Sequence, residues 1–337
     1  MFKNLKLGSK LMLGFASVAL ITLLLGIFGY YGVVKNSEAI NEIGVVRLPS
    51  VESVLDIKLA VDKVNKHLIT LLIQNLTTED YAEQYRGIEE ARKEYKESFD
   101  IYEALPHTPE EVREWKSFKE GLSELVNLNN KIVELHHEIN DFGIYNPAEL
   151  LSNLNKFKGD HYALELKVTT MILAGESFDG GEDHTACNFG RWLGSFKTTD
   201  PELNQLIESL KEPHKNFHGS VTKIRDAIKA GDKDEVLKIF DATMKTSAQD
   251  VFKIFDKMIA EAAKVEQLYQ NLHEILMDKS IPLHKIVVEH LEAVAHINIK
   301  IAADEVERAE KQSKFLKSAS LIAMLAGIFI SLVLAVL

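Results

Sequence analysis

Three histidines and the only cysteine of the chain are the side chains best suited to bind a metal ion. His214 and His218 are four residues apart, so on a helix both imidazoles would face the same side. With 12 histidines in 337 residues, chance gives ~0.4 such pairs, so this spacing alone does not establish a site. His161 and Cys187 add a third imidazole and a thiolate, and the four donors together would complete the tetrahedral shell that zinc prefers.

Each of these residues also has an ordinary structural interpretation. A lone free cysteine is more often a small buried core residue than a ligand, and two histidines four residues apart can simply share a helix face. If all four bind one ion, no coordination position is left for a substrate water, which favours a structural or sensing role over hydrolysis. We therefore expect a protein without enzymatic activity.

The order of these residues resembles that of a known domain. The chain reads His161-Tyr-Ala, then Cys187-Asn-Phe-Gly-Arg-Trp192, then His214-Lys-Asn-Phe-His218. Over roughly residues 147–265 this resembles the chemoreceptor zinc-binding domain, a helical module of bacterial sensors that holds zinc with three histidines and one cysteine. The resemblance implies that His161, Cys187, His214 and His218 are the zinc ligands. Ala163 departs from the pattern, since the family usually has an aromatic residue or leucine there.

Several neighbouring residues have predicted supporting roles. Gly190 would let the backbone turn closely, and Trp192 would shield the sulfur from solvent. Three acidic residues are candidates to orient a ligand imidazole, although a solvated helix face is the more common role for each: Asp160, Glu165 and Glu212. His184 could substitute as a ligand, but its Gly/Asp-rich surroundings predict an exposed position. The remaining histidines are expected at the surface or at interfaces: His67, His107, His136, His137, His273, His284, His290 and His296.

Composition favours a protein built from long helices. The chain has only 18 glycines and 7 prolines, so residues that form turns are scarce. The formal net charge of -11 argues against nucleic acid as a partner, because neutralising phosphates requires a basic surface. The predicted fold class is therefore all-α.

Two uncharged segments predict transmembrane helices. Leu11 to Val34 and Ser318 to Leu337 are each long enough to cross a hydrocarbon core of about 30 Å. The first could instead be a signal peptide, but it exceeds the usual ~7–15 apolar residues and has no small-x-small cleavage site. Lys3, Lys6 and Lys10 place the N-terminus in the cytoplasm by the positive-inside rule. Residues of about 35–316 are then expected in the periplasm of a bacterial inner-membrane protein.

Capping patterns and turn residues divide the exported part into helices. Helix starts are predicted at Thr77 or Thr78, at Thr108-Pro-Glu-Glu111 and at Asn146-Pro-Ala-Glu149. Pro49 is expected to kink the first exported helix, and residues 175–185 form the most loop-like stretch. Three later sites are expected to separate short helices, a long helix over about 232–277 and a last helix: Pro213, Gly231-Asp232 and Pro282.

The whole layout resembles the sensory half of a methyl-accepting chemotaxis protein of the four-helix-bundle type. It implies two transmembrane helices flanking an extracytoplasmic helical bundle, with a zinc-binding helical bundle inserted into it. The predicted segments are a cytoplasmic N-terminus (1–10), a transmembrane helix (11–34), three bundle helices (35–145), the zinc-binding domain (146–278), a closing helix (279–316) and a second transmembrane helix (317–337). The resemblance also implies a homodimer and a downstream cytoplasmic signalling module that this chain lacks, as in a truncated receptor.

The leading hypothesis is a membrane sensor that binds Zn²⁺ and transmits a zinc- or redox-dependent signal. A thiolate ligand is lost on oxidation, and metal affinity falls as imidazoles become protonated. An alternative is a receptor for a small molecule in the helical bundle, with a purely structural zinc. A third is a membrane-tethered zinc hydrolase, which would need an open coordination position and a nearby general base.

Overall fold

A computed structural model describes residues 6–74, 76–144 and 146–336 of the chain. Within these residues the secondary structure is entirely helical, which confirms the predicted all-α class. Lys3 and Leu337, which entered the membrane prediction, lie outside the described part. The helices are, in chain order, α1 (Leu7–Asn41), α2 (Leu48–Thr70), α3 (Thr78–Glu103), α4 (Pro109–Asp141), α5 (Pro147–Ala174), α6 (Asn188–Leu193), α7 (Pro201–Ala230), α8 (Lys233–Ile239), α9 (Thr246–Glu274) and α10 (Ile281–Val336).

The predicted helix starts are confirmed by capping hydrogen bonds. Thr77 Oγ1 accepts from the backbone N–H of Asp80, and Thr108 Oγ1 accepts from that of Glu111. The Asn146 side chain accepts from the backbone N–H of Glu149. In each case a side-chain oxygen satisfies an N–H group that has no partner inside the helix.

Three predictions about prolines need correction. Pro213 does not divide the chain into short helices, because it lies inside the 30-residue helix α7. Pro49 and Pro282 each occupy the second position of an α-helical segment and follow a π-helical turn, Glu42–Arg47 and Ile275–Ser280 respectively. A proline is tolerated in the first turn of a helical segment, where its missing N–H costs no hydrogen bond. The chain therefore stays helical from Lys233 to Val333.

Two helical paths are long and apolar enough to cross a membrane by length and composition. They are Gly8–Thr70 and Lys233–Val333, and they contain the two predicted spans. Large apolar side chains along them are exposed, among them Phe15 (75%) and Ile322 (67%).

The chain divides into two compact units. The first comprises Met1–Val64, Glu89–Ser123 and Leu283–Leu337. Its core consists of apolar side chains from α2, α3, α4 and α10, including Ile57, Tyr102, Phe118 and Leu291.

The second unit comprises Asn65–Ile88 and Glu124–Pro282. Helix α9 packs against both α5 and α7, and the apolar faces of these three helices form a buried core that includes Leu154, Phe217 and Phe255. This unit contains all four predicted metal ligands. The domain boundaries at 145/146 and 278/279 remain sequence predictions.

Candidate metal centre

The four predicted ligands come from three elements of the second unit. His161 lies in the middle of α5, and His214 and His218 lie one helical turn apart on α7. Cys187 is the N-cap residue of the short helix α6, and its sulfur accepts the backbone N–H of Gly190 at 3.1 Å. The ligand atoms of these four residues all lie within 4.8 Å of one another. The structure therefore brings together the complete predicted set.

Backbone carbonyls orient two of the three imidazoles. The Nδ1 of His161 lies 2.6 Å from the carbonyl oxygen of Phe157 in its own helix, and the Nδ1 of His218 lies 2.7 Å from that of Gly181. A carbonyl oxygen only accepts hydrogen bonds, so each Nδ1 carries the proton and donates. In both neutral imidazoles the lone pair is then on Nε2, which faces the centre of the site.

The spacing of the donor atoms fits a tetrahedral zinc ion. The Nε2 atoms of His161 and His218 lie 3.3 Å apart, and with both Nδ1 atoms protonated two lone pairs face each other without a proton between them. Zn–N bonds at a tetrahedral angle separate two ligand nitrogens by about 3.3 Å, and a nitrogen from a sulfur by about 3.5 Å. The Sγ of Cys187 lies 3.4 Å from the Nε2 of His214. A cation at the centre would relieve the repulsion that the bare donors create.

Burial sets the protonation states of these groups. Desolvation lowers the pKa of His161, and it lowers the pKa of His214 to about 2 and of His218 to about 4, with further lowering by neighbouring imidazoles. All three imidazoles are therefore neutral at pH 7, the form that binds a metal. Burial raises the pKa of the Cys187 thiol, so formation of the thiolate requires the charge of a bound cation.

Two glycines allow the chain to fold closely around the site. A Cβ atom on Gly190 would lie 2.0 Å from the carbonyl oxygen of His184, so only glycine lets this backbone pass against α6. Gly181 has a φ of +93°, and a Cβ there would lie 2.6 Å from the side chain of Leu164. The predicted loop stands between Ala174 and Asn188, and it supplies both the cysteine and the carbonyl that orients His218.

Buried phenylalanines surround the ligands. The ring of Phe189 lies edge-on to His214 with centroids 5.1 Å apart, and Phe217 and Phe255 lie 5.6 and 5.5 Å from the ring of His161. Trp192 was expected to shield the sulfur, but it stacks on Phe196 at 4.2 Å, and Phe189 is the aromatic residue of this motif that contacts ligand rings. An apolar shell of this kind excludes water and strengthens interactions of the ligands with a cation.

Other sequence expectations about polar residues are resolved as follows. Asp160 accepts a hydrogen bond from Asn188 at 2.7 Å, so backbone carbonyls, and not the acidic side chains, orient His161 and His218. His184 is half-buried, not exposed as predicted, with its ring 5.8 Å from that of His214, but it is outside the group of converging ligands. His136 is buried (1% exposed) between Tyr81 and Tyr85.

Comparison with protein families identifies two modules. Residues 4–143 match the four helix bundle sensory module for signal transduction, and residues 161–225 match the chemoreceptor zinc-binding domain. The chain is a chemoreceptor sensory module that carries a zinc-binding domain. Comparisons with curated proteins and with solved structures found no match. The match to the zinc-binding domain begins at His161 and contains all four converging residues of the chemoreceptor module.

Sequence reasoning missed the groups that orient the ligands. The acceptors are the main-chain carbonyls of Phe157 and Gly181, which carry no signature in side-chain type. The Gly180-Gly181 doublet was the available signal, since paired glycines indicate a backbone conformation that other residues rarely adopt.

Proposed function

We propose that this chain is a transmembrane chemoreceptor module that binds one zinc ion through His161, Cys187, His214 and His218. The observation that carries the proposal is the convergence of four donor atoms within 4.8 Å in a domain of a zinc-binding family. Three neutral imidazoles and one sulfur form a donor set suited to zinc. When bound, the ion supplies positive charge that stabilises the thiolate and links α5, α6 and α7.

A sensing or structural role agrees better with this donor set than catalysis does. Catalytic zinc sites keep one coordination position for water or substrate, whereas four protein ligands fill a tetrahedral shell. We therefore propose that the module has no enzymatic activity.

Access to the sulfur supports a redox-dependent signal. A cleft of about 300 Å³ is lined by Cys187, His161 and His218 together with the charged side chains of Lys167 and Arg191. A peroxide that enters this cleft would transfer one oxygen atom to the thiolate, forming a sulfenate and water in a two-electron oxidation. The site would then lose its soft sulfur donor and hold zinc less tightly.

The helical path provides a route for the signal. Helix α9 packs on α5 and α7, which carry three of the four ligands. The chain stays helical from α9 through the π-helical turn Ile275–Ser280 into α10, which contains the second apolar segment. We propose that zinc binding or loss changes the packing of α9 and that α10 passes this change across the inner membrane.

The same proposal includes a multi-pass location and a homodimer. The two apolar segments would lie in the bilayer, with residues 35–316 in the periplasm. Within the first unit, a stripe on one side of the helical path is exposed and apolar: Val45 (58%), Leu48 (62%), Leu55 (49%) and Leu59 (55%). A second copy of the chain would cover this stripe, and a disulfide between Leu55→Cys chains in membranes would report the contact.

Elemental analysis of the detergent-solubilised full chain tests the metal proposal. We expect one zinc per wild-type chain, and strongly reduced zinc in Cys187→Ala and His214→Ala because three ligands hold the ion less well. His184→Ala is the matched control, since this nearby histidine is outside the converging group and its loss should leave zinc content unchanged. Unchanged zinc in both ligand variants would refute the proposal.

A further inference from the structure

Arg225 connects the metal-binding helix α7 to the glycine-containing loop. It lies two helical turns after His218, so both side chains are on the same face of α7. One guanidinium nitrogen donates to the carbonyls of Phe178 and Gly180, at 2.7 and 2.8 Å. The other terminal nitrogen donates to the Glu182 carboxylate at 2.9 Å, and the guanidinium lies over the Phe178 ring at 4.6 Å.

These contacts enclose the carbonyl that orients a ligand. Gly181 lies between Gly180, whose carbonyl Arg225 holds, and Glu182, whose side chain Arg225 binds. The Gly181 carbonyl is the acceptor for the His218 Nδ1–H. The loop between Ala174 and Asn188 has no regular hydrogen-bonding pattern, so its backbone depends on side chains such as this one for a fixed position.

We propose that Arg225 is a positioning residue of the metal centre, which fixes the Gly181 carbonyl against His218 and so keeps the His218 Nε2 directed at the ion. The proposal rests on the proposed zinc site. Arginine suits this role because its planar fork can donate to two carbonyls and a carboxylate at once, which a lysine ammonium matches poorly. Its side chain is only 20% exposed, so water competes weakly for these bonds.

His161 is an internal control for this mechanism. Its Nδ1–H donates to Phe157, a residue of the same helix α5, so its orientation does not depend on the loop. Loss of the Arg225 fork should therefore affect the His218 N–H and leave the His161 N–H unchanged. A general loss of structure would affect both.

The test compares Arg225→Met with Lys229→Met in the full chain in detergent. Methionine keeps an apolar stem over Phe178 but donates no hydrogen bond. Lys229 is on the same helix and 78% exposed, and it pairs only loosely with Asp226 at 3.7 Å. Two quantities are measured: the rate of zinc release to a chromophoric chelator, and the exchange with water of the imidazole N–H protons in the Co²⁺-loaded chain, by paramagnetic proton NMR.

We expect Arg225→Met to release zinc roughly 10-fold faster or more, the scale on which outer-shell partners of a metal ligand act. Its His218 N–H signal should exchange faster while the His161 signal stays as in the wild type, and Lys229→Met should match the wild type in both measurements. A metal-loaded Arg225→Met with wild-type release and exchange rates would overturn the positioning role and leave the four-ligand site intact. A wild-type chain that takes up neither metal would overturn the proposed function and this proposal together.

A second variant covers the case in which Arg225→Met loses the wild-type far-UV helix signal. Arg225→Lys keeps the positive charge without the planar fork, so zinc release should still be roughly 3-fold faster than in the wild type. Release at the wild-type rate by a folded Arg225→Lys would show that the fork is unnecessary and would overturn the proposal.

Discussion

His136 shows how burial alone can make one histidine sensitive to pH. The Tyr85 hydroxyl lies 2.7 Å from its Nδ1, and the Tyr81 ring lies 4.6 Å from the imidazole. Desolvation lowers the pKa of His136 to about 4, and it raises the pKa of Tyr85 to about 12. At neutral pH both groups are therefore uncharged in the folded protein.

We predict that His136 makes the second unit less stable in acid. An unfolded histidine has a pKa near 6.5, so between about pH 6.5 and pH 4 the unfolded state binds more protons than the native state. The contribution to the free energy of unfolding is complete above pH 6.5 and decreases as the pH falls through this window, by about 2–3 kcal/mol at pH 4.5.

Thermal denaturation of the wild type and of His136→Gln at pH 7 and pH 4.5 measures this contribution. Glutamine does not titrate, so the midpoint of the variant should fall less between the two pH values than that of the wild type. Equal falls in the two proteins would contradict the prediction. Because the three ligand histidines are present in both chains, their own titration cancels in the comparison.

At the scale of the helices, a buried polar network joins three segments of the first unit. Arg47, at the end of the π-helical turn Glu42–Arg47, donates to Glu111 on α4 and to Asn298 on α10, both at 2.9 Å. Asn298 in turn donates to Glu111 at 2.7 Å. Burial alone would raise the pKa of Glu111, but hydrogen bonds from Thr108 and Asn298 and the charge of Arg47 outweigh it and lower the pKa.

We predict that Arg47→Met destabilises the first unit by about 3–5 kcal/mol, because it leaves the fully buried Glu111 carboxylate without its counter-charge. The double variant Arg47→Met/Glu111→Gln should recover most of this loss, since it removes both charges. Denaturation in detergent, followed by far-UV circular dichroism, measures the change.

Lys119→Met is the matched control for a surface ion pair. Lys119 lies 2.9 Å from Glu103, and both side chains are more than 40% exposed, so its loss should cost less than about 1 kcal/mol. If Arg47→Met costs no more than Lys119→Met, the buried network does not stabilise the helices as argued.

At the scale of the whole molecule, the proposed orientation in the membrane predicts which sites a reagent can reach. A cysteine at the exposed position of Glu120 should react with a membrane-impermeant maleimide in intact bacterial cells, because it would lie in the periplasm. A cysteine at Ser9, before the first apolar segment, should react only after the cells are permeabilised. The wild-type chain provides the background from Cys187. The opposite labelling pattern would reverse the proposed orientation.

The sequence was sufficient for features that depend on local chemistry. The caps at Thr77, Thr108 and Asn146 were predictable because each is a hydrogen bond between residues three apart. The four converging ligands were also predicted, because their residue types and order match a recognisable pattern. The prolines misled, since whether Pro213 ends a helix depends on the packing around it.

Only the tertiary structure decided which groups orient those ligands. The carbonyls of Phe157 and Gly181 are chemically identical to every other carbonyl, so their function comes only from position. Likewise, Arg225 and Gly181 meet because the loop between Ala174 and Asn188 folds back onto α7. Residue types determine what chemistry is possible, but long-range packing determines which atoms lie within hydrogen-bonding distance, and that information is spread over the whole core.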